Sequence, residues 1–466
     1  MQNYLIKNIS IVNEGLVQQG DLLIKNGRIE KILPQITSAN ADIKEINGEG
    51  KFLFPGVIDD QVHFREPGLT HKATIYTEAK TGVAGGVTSF MEMPNTIPPA
   101  FTQELLEEKY RIASQSSLAN YSFYMGTSND NAEEVLKTNK KKNEVCGIKI
   151  FMGSSTGNLL VDSPSTLNKI FSESELLIAT HCEDERIIRQ NLERLKAEKK
   201  ELTAADHPVI RNEEACFESS LKAIQIAQKC NTRLHILHIS TEKELQLFSN
   251  MMPLKEKRIT TEVCVHHLHF TSDDYDRLGN QVKCNPAIKS PNNKKALWKA
   301  LLDDRLDVIA TDHAPHTLEE KGLIRNSNGL ITPSPSGEAG RGLYEKAHAG
   351  LPLVQHSLLL MLYYYKQGKI ALEKIAEKMS HAVADCFQIR ERGYIREGYF
   401  ADLVIVDLNG SVTVSKENIL YKCGWSPLEN VEFPASITHT FVNGNLVYEE
   451  GRWNESARGQ RLKFIR

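Results

Sequence analysis

The stretch that decides the fold spans residues 55–70 and reads PGVIDDQVHFREPGLT. It begins as an apolar strand and ends in polar side chains that can do chemistry. Because the side chains of a strand alternate between its two faces, the pattern places Asp59, Gln61 and His63 on one face and Asp60 and Val62 on the other. A strand that runs into possible ligands predicts an active site at its end, although a surface turn with incidental polar residues produces the same pattern.

Short apolar runs alternate with helix-patterned stretches through the middle of the 466-residue chain. This alternation is typical of βα repeats and a parallel sheet. The candidate strands lie at residues 56–62, 87–93, 121–126, 147–152, 176–180, 233–238, 260–265 and 307–311. Eight βα units predict an α/β fold of the (β/α)8 TIM-barrel type, whose catalytic residues lie at the C-terminal strand ends.

Two long stretches without strand pattern leave from such strand ends, at residues 182–230 and 313–342. The second stretch is rich in Gly, Pro and Ser. Segments of this kind often close over an active site, so we predict that residues 313–342 form a mobile lid.

Both ends of the chain have the pattern of short strands joined by tight turns. Asn26-Gly27 and Asn443-Gly444 are residue pairs that two-residue hairpins favour, because both central positions need a positive φ. Each end is short for an independent core, so we predict one small β-sandwich assembled from both ends. The predicted organisation is residues 1–54 and 391–466 in the sandwich and residues 55–390 in the barrel.

Composition limits the classes of partner. A net charge of -3 gives no basic surface of the kind that neutralises phosphates, which argues against nucleic acid and favours a small-molecule substrate. The eight cysteines have no CxxC spacing, which argues against a disulfide framework and a zinc ribbon. The N-terminus lacks a secretory pattern and no apolar run has the length of a membrane span, so a cytoplasmic protein is predicted.

Five residues with metal-binding chemistry lie at or near predicted strand ends: His63, Lys149, His181, His238 and Asp312. A single histidine at a strand end is more often hydrogen-bonded than metal-bound, but the joint pattern predicts a zinc site that keeps one position for water. Lys149 does not fit this set, because a lysine inside a barrel is costly unless it pairs with a buried acid or is chemically altered. Carbamylation by carbon dioxide would give it a negative charge that bridges two metal ions.

Seven stretches in this order resemble the motifs of the dihydroorotases, a family of the amidohydrolase superfamily related to the hydantoinases and allantoinases. The resemblance covers nearly the whole chain. The stretches are residues 62–68 (VHFREPG), 93–96 (MPNT), 147–151 (GIKIF), 179–183 (ATHCE), 237–240 (LHIS), 285–286 (NP) and 311–316 (TDHAPH). The resemblance implies reversible, zinc-dependent cyclisation of N-carbamoyl-L-aspartate to dihydroorotate in pyrimidine biosynthesis.

The resemblance also implies roles for the metal-binding residues. His63, Lys149 and Asp312 would serve an inner zinc ion. Carbamylated Lys149 would bridge to an outer ion, whose site His181 and His238 would complete. Asp312 would in addition be the general base, taking a proton and passing it to the leaving nitrogen.

For the substrate, the resemblance implies that Arg65, Asn95 and His316 bind a carboxylate and that Asn285 makes a further contact. The guanidinium of Arg65 matches a carboxylate with two parallel hydrogen bonds. An ion pair between Arg65 and Glu66 or another acid is the structural alternative. Hydantoinases and allantoinases generally have a different residue at this position, so Arg65 argues against those activities. A hydantoinase or allantoinase is the alternative if the protein is a different enzyme.

Gln61 departs from the motif Asp-x-His-x-His of the superfamily, because it stands where the first metal-binding histidine belongs. A glutamine carbonyl is a weaker zinc ligand than imidazole, and Asp60 is predicted to face away. Three outcomes are open: a weakened inner site, a one-zinc enzyme, or a non-catalytic protein that binds aspartate transcarbamoylase. A homodimer is expected from the resemblance alone.

Overall fold

The computed structural model describes residues 2–37, 42–153, 158–199, 201–334 and 343–466. Its strands are β1 (Asn3–Asn13), β2 (Leu16–Lys25), β3 (Arg28–Leu33), β4 (Ile43–Asn47), β5 (Phe52–Pro55), β6 (Val57–Val62), β7 (Val87–Glu92), β8 (Asn120–Phe123), β9 (Met125–Gly126), β10 (Ile148–Phe151), β11 (Ile178–His181), β12 (Leu234–Ile236), β13 (Ile259–Cys264), β14 (Val308–Ala310), β15 (Leu323–Arg325), β16 (Ile331–Pro333), β17 (Leu403–Asp407), β18 (Val412–Thr413), β19 (Glu432–Phe433), β20 (Ser436–Val442), β21 (Asn445–Glu449) and β22 (Arg452–Trp453).

The α-helices are α1 (Ile75–Ala84), α2 (Gln103–Ser116), α3 (Ala132–Leu136), α4 (Pro164–Glu173), α5 (Glu185–Glu198), α6 (His207–Ile210), α7 (Glu213–Cys230), α8 (Val265–His269), α9 (Asp274–Leu278), α10 (Pro291–Leu302), α11 (Leu343–Lys346), α12 (Ser357–Lys366), α13 (Leu372–Ala376) and α14 (Ala382–Phe387). Several begin at a side chain that accepts a hydrogen bond from the first turn, as Thr102, Ser163, Asp184 and Asn212 do. Such caps pair backbone N–H groups that would otherwise lack a partner. No described helix combines the length and apolarity needed to cross a membrane.

The middle of the chain folds into parallel strands, as the alternating pattern predicted. Six strands pair in the order β14-β13-β12-β11-β10-β9, and three pair in the order β6-β7-β8. The two sheets meet at both ends. β8 continues into β9 across Tyr124, whose N–H donates to Glu92 O at 3.1 Å, and His63 N–H donates to His313 O at 2.7 Å beyond β14. The predicted α/β fold with a parallel sheet is therefore confirmed.

Each of the eight candidate strands is present, but their ends and their regularity differ from the prediction. β12 stops at Ile236, so His238 lies beyond the strand in a backbone conformation with φ of 40°. The pairing of β6 with β7 shifts register between Asp59 and Val62. Because of this irregularity the strict alternation predicted for β6 is wrong, since Asp60 reaches His235 of β12 and Gln61 reaches Cys264 of β13.

The two chain ends build one nine-stranded sheet. Its order is β22-β21-β20-β17-β5-β1-β2-β3, with β4 paired to β1. β5 lies between β1 of the N-terminal end and β17 of the C-terminal end. The predicted turns are confirmed, since Asn26 and Asn443 have φ of 52° and each is followed by a glycine with positive φ. A Cβ atom on Gly444 would lie 2.5 Å from Gly27 Cα, so the two turns pack directly on each other.

The two predicted segments without strand pattern differ. Residues 182–230 hold α5, α6 and α7. In the other, β15 and β16 form a short antiparallel hairpin, so this segment is not free of strands. Residues 335–342 of the predicted lid lie outside the described residues.

A buried ion pair fixes α2 to the end of β7. Lys109 Nζ lies 3.0 Å from Glu92 Oε2, and both side chains are almost wholly buried. Burial lowers the pKa of Lys109 and raises that of Glu92, while each charge opposes the shift of the other.

We expect Lys109→Met to lower the free energy of unfolding by about 3–5 kcal/mol, because it leaves the Glu92 carboxylate buried without its cation. Denaturant unfolding measures the change. The double variant Lys109→Met/Glu92→Gln should recover much of the loss, since no charge then stays buried. A loss below about 1 kcal/mol in the single variant would contradict the prediction.

Candidate active site

Nine predicted site residues line one cavity of about 680 Å³ at the C-terminal ends of the parallel strands. They are His63, Arg65, Asn95, Lys149, His181, His238, Asn285, Asp312 and His316. Gln61 lines the same cavity, whereas Asp59 does not. The Asp59 carboxylate instead accepts the Thr311 hydroxyl at 2.6 Å, and burial raises its pKa to about 7. The strand ends thus bring together residues that are up to about 250 positions apart in the sequence.

The first group of the site joins β6 to the end of β14. His63 Nε2 lies 3.1 Å from Asp312 Oδ1, and His63 Nδ1 lies 2.7 Å from Asn95 Oδ1. If Nδ1–H donates to Asn95, the lone pair of Nε2 faces the Asp312 carboxylate. Burial lowers the pKa of His63, so the imidazole is neutral near pH 7. His63 Nε2 and Asp312 Oδ1 are both electron-pair donors, and at this separation they fit a cation between them.

Gln61 lies beside this pair, but it contacts Asp312 through its amide nitrogen. Gln61 Nε2 donates to Asp312 Oδ1 at 3.1 Å, and Oε1 lies 3.9 Å from Cys264 Sγ. The side chain therefore presents a hydrogen-bond donor where the superfamily motif has a metal ligand. The atom of this side chain that could bind a cation is the carbonyl oxygen Oε1, and it points away from Asp312.

The second group consists of His181 and His238. His181 Nδ1 lies 2.9 Å from His238 Nε2. His181 Nε2 donates to Glu183 Oε2 at 3.0 Å, and Arg211 Nη1 donates to the same oxygen at 2.6 Å. Burial would raise the pKa of Glu183, but Arg211 and His181 outweigh it and hold that pKa at about 2. A carboxylate that orients a histidine in this way is typical of metal sites.

Lys149 lies between the two groups without an acidic partner. Its Nζ is 4.5 Å from the centre of the Phe151 ring, and its acidic neighbours Asp312 and Glu262 act on it through their charge without a hydrogen bond. Burial lowers the pKa of Lys149 to about 7, against the pull of Asp312 and Glu262. Within the described part of the chain, the alternative of a salt bridge to a buried acid is therefore not found, and much of the amine is neutral at pH 7.

Cations gather at the other side of the cavity. Arg65 Nη2 lies 3.0 Å from His316 Nε2, and Arg65 Nε donates to Pro315 O at 3.2 Å. Lys72 Nζ lies 3.1 Å from His316 Nδ1 and 2.9 Å from Glu320 Oε1. Burial lowers the pKa of Arg65 to about 10, which leaves it charged at neutral pH.

Arg65 is not paired with Glu66, whose Oε2 accepts from Ile75 N–H at 2.9 Å. Arg65 and Lys72 bring two cations to this side of the cavity, where Glu320 pairs with Lys72, so this side suits an anion. Asn285, at the cavity wall, has its Oδ1 3.0 Å from His207 Nε2.

Backbone strain marks three of these residues. Arg65, His238 and Asp312 have φ of 69°, 40° and 46°. Non-glycine residues adopt this left-handed region at a cost of about 1–3 kcal/mol, and they do so often at functional sites. Sequence reasoning did not identify Lys72, Glu183, Arg211 or Glu320, although Glu183 stands two residues after His181.

The amidohydrolase family matches residues 52–447. The chain belongs to the amidohydrolase family. The predicted family resemblance and the prediction of an enzyme are thus confirmed, and members of this family are generally metal-dependent.

Named relatives of this amidohydrolase span nearly its whole length. A dihydroorotase of Pyrococcus furiosus is 31% identical over 95% of this chain and 92% of its own. An allantoinase of Desulfitobacterium hafniense is 27% identical over 98% of both chains. The solved structure of an L-hydantoinase (dihydropyrimidinase) from Arthrobacter aurescens has a TM-score of 0.86, with 25% identity over 97% of both chains.

Proposed function

We propose that this amidohydrolase is a zinc-dependent dihydroorotase, which interconverts N-carbamoyl-L-aspartate and dihydroorotate in pyrimidine biosynthesis. The observation that carries the proposal is the pair Arg65 and His316, which faces the His63, His181, His238 and Asp312 group across one cavity. Dihydroorotate has a carboxylate on the ring that is opened, and Arg65, a guanidinium in the same cavity as the hydrolytic group, would bind that carboxylate. The dihydroorotase relatives support the same conclusion.

For the fold, we propose that the two parallel sheets together form a (β/α)8 barrel spanning residues 55–390. The continuation of β8 into β9 and the bridge between Val62 and His313 support this closure. Residues 1–54 and 391–466 would then form the second domain, a β-sandwich in which the nine-stranded sheet curves so that β1 and β20 face each other, as the contact between the Tyr4 and Phe441 rings supports. The TM-score of 0.86 to the Arthrobacter aurescens hydantoinase agrees with this architecture.

The donor atoms of the cavity fit zinc, since imidazole nitrogens and a carboxylate oxygen face one another at distances of 2.9 and 3.1 Å. His63 and Asp312 would hold an inner ion and His181 and His238 an outer one. When bound there, zinc supplies Lewis acidity toward the ring carbonyl and lowers the pKa of water. Neutral Lys149 would react with carbon dioxide to form a carbamate and release a proton, which would give it a bridging negative charge.

The other roles, substrate binding and proton transfer, would fall to the side chains of the cavity. Arg65 would hold the substrate carboxylate with its guanidinium, and the amide nitrogen of Asn95 would donate to the same group. His316, held between Arg65 and Glu320, would complete this anion site, and Asn285 would contact the ring from the cavity wall. Asp312 would take the proton of the attacking water and pass it to the leaving ring nitrogen. Cyclisation reverses these transfers.

Turnover of the zinc-loaded protein tests the function. We expect it to open dihydroorotate faster than allantoin or hydantoin, because only dihydroorotate has the carboxylate that Arg65 would bind. Faster turnover of hydantoin or allantoin would favour the activities of the related enzymes, and no turnover of any substrate would overturn the proposal.

A non-catalytic role is the second candidate, and the orientation of Gln61 favours it, because Gln61 donates to Asp312 instead of offering a ligand. In that role the chain would bind aspartate transcarbamoylase, either as a monomer or as a homodimer. Absence of zinc and of turnover, together with a stable complex in sedimentation, would support this role.

Gln61→His is expected to raise affinity for the inner zinc ion, because imidazole replaces an amide that donates to Asp312. We expect a gain at least as large as the roughly 10- to 100-fold that outer-shell partners contribute to metal binding. Competition with a chelator measures it. Gln103→His, at the start of α2, is the matched control and should leave affinity unchanged. Equal affinities for Gln61→His and the parent chain would show that position 61 does not set metal binding.

A further inference from the structure

A second cluster of potential ligands lies inside the parallel strands and does not line the cavity. Asp60 of β6, His235 of β12 and Glu262 of β13 are all 0% exposed. His235 Nε2 lies 3.1 Å from Asp60 Oδ2 and 3.9 Å from Glu262 Oε2. One ligand atom from each residue lies within 4.8 Å of the others.

The contacts around His235 are compatible with a metal-binding tautomer. In that tautomer Nδ1–H donates to Thr260 Oγ1 at 2.7 Å, and the Thr260 hydroxyl donates to Leu234 O at 3.4 Å. Nε2 is then unprotonated and faces two carboxylates. This arrangement, with one nitrogen fixed by a hydrogen bond and the other pointing at oxygen ligands, is the usual orientation of a metal-binding histidine.

The oxygens of the cluster lack donors. Among the described residues, no hydrogen bond reaches either oxygen of Asp60 or Oε2 of Glu262. No lysine or arginine nitrogen of the described chain lies within 4.0 Å of them. Buried carboxylates are costly unless a cation neutralises them, so the cluster requires positive charge.

The spacing fits a metal ion better than a proton alone. Ligands about 2.0–2.2 Å from a tetrahedral zinc ion stand roughly 3.3–3.6 Å apart. The two distances from His235 Nε2, 3.1 and 3.9 Å, lie on either side of this value. A single proton between Nε2 and Asp60 would leave Glu262 Oε2 without a partner.

We propose that Asp60, His235 and Glu262 bind a divalent transition metal of the zinc type at a structural site separate from the cavity. β6 is not hydrogen-bonded to β12 or β13, so the ion would join strands that the sheet leaves unpaired. The other oxygen of Glu262, Oε1, accepts from His238 N–H at 2.9 Å. The ion would thereby hold the backbone of His238 and the strand segment that leads to Gln61.

Anomalous diffraction from crystals of the full chain grown with zinc tests the proposal. Difference maps above and below the zinc edge should show a peak within about 2.0–2.2 Å of Asp60, His235 and Glu262. A second peak beside His181 and His238 would be a separate site. A peak at His181 and His238 with none at the buried cluster would overturn the proposal.

Metal analysis in solution gives an independent readout. Asp60→Asn and His235→Asn should each lose one zinc ion per chain relative to the parent. His356→Asn replaces a buried histidine outside both clusters and should keep the parent content. Should a variant fail to fold, the diffraction experiment on the parent chain still decides. Unchanged zinc content in folded Asp60→Asn and His235→Asn would contradict the site, and dihydroorotate turnover reports separately on the proposed function.

Discussion

Asp312→Asn is expected to lower kcat for dihydroorotate by roughly 100- to 10,000-fold, the range that a positioned general acid or base contributes. Asparagine keeps the size of the side chain and its contact with Gln61, but it cannot take a proton from water. The Asp312 backbone, with φ of 46°, aims the side chain into the cavity, and asparagine tolerates this region. Steady-state kinetics at saturating substrate measure the effect.

Metal content must accompany this measurement, because Asp312 is also a proposed ligand. Asp303→Asn is the control, since Asp303 precedes β14 at its other end and pairs with Arg305. Zinc-loaded Asp312→Asn that turns over at the parent rate would exclude Asp312 as the base. A low rate in Asp303→Asn would point to damage of β14 instead.

Arg65→Met is expected to lower kcat/KM for dihydroorotate by roughly 100- to 1,000-fold. Removing one member of a buried charge pair costs about 2–5 kcal/mol, and this loss should fall mainly on KM. Dihydrouracil has the same ring without the carboxylate, so its turnover should change little. Arg65→Lys keeps the charge but loses the planar fork of donors, so its kcat/KM for dihydroorotate should lie between those of the parent chain and Arg65→Met.

The comparison of the two substrates distinguishes carboxylate binding from general damage to the site. Arg186→Met is the control, because Arg186 lies in α5 with a side chain that is 67% exposed. Equal losses for dihydroorotate and dihydrouracil in Arg65→Met would mean that Arg65 supports the structure of the cavity. A loss confined to dihydroorotate would support the proposed dihydroorotase.

Much of the architecture could be predicted from sequence because it follows from local patterns. Apolar runs identified the eight parallel strands, and Asn-Gly pairs identified two hairpins. Polar residues at strand ends identified the ligands, since parallel strands bring their C-terminal ends to the same edge. His63 and Asp312 thus meet although 249 residues separate them.

The features that sequence did not predict depend on local irregularity or on long-range partners. The register shift after Asp59 turns Asp60 inward, and the alternation rule assumes a regular pleat. Glu320 pairs with Lys72 across 248 positions, and Arg211 reaches Glu183 from a different segment. No periodicity in the chain marks such pairs, because each depends on how the finished elements pack.

The shared nine-stranded sheet also bears on how the chain is made. β5 needs β17 beside it, and more than three hundred residues are synthesised between them. At about 5–20 residues per second, the N-terminal strands wait on the order of tens of seconds on the ribosome with an open edge. An open edge invites pairing with other chains, so this interval is when the newborn protein most needs chaperone protection.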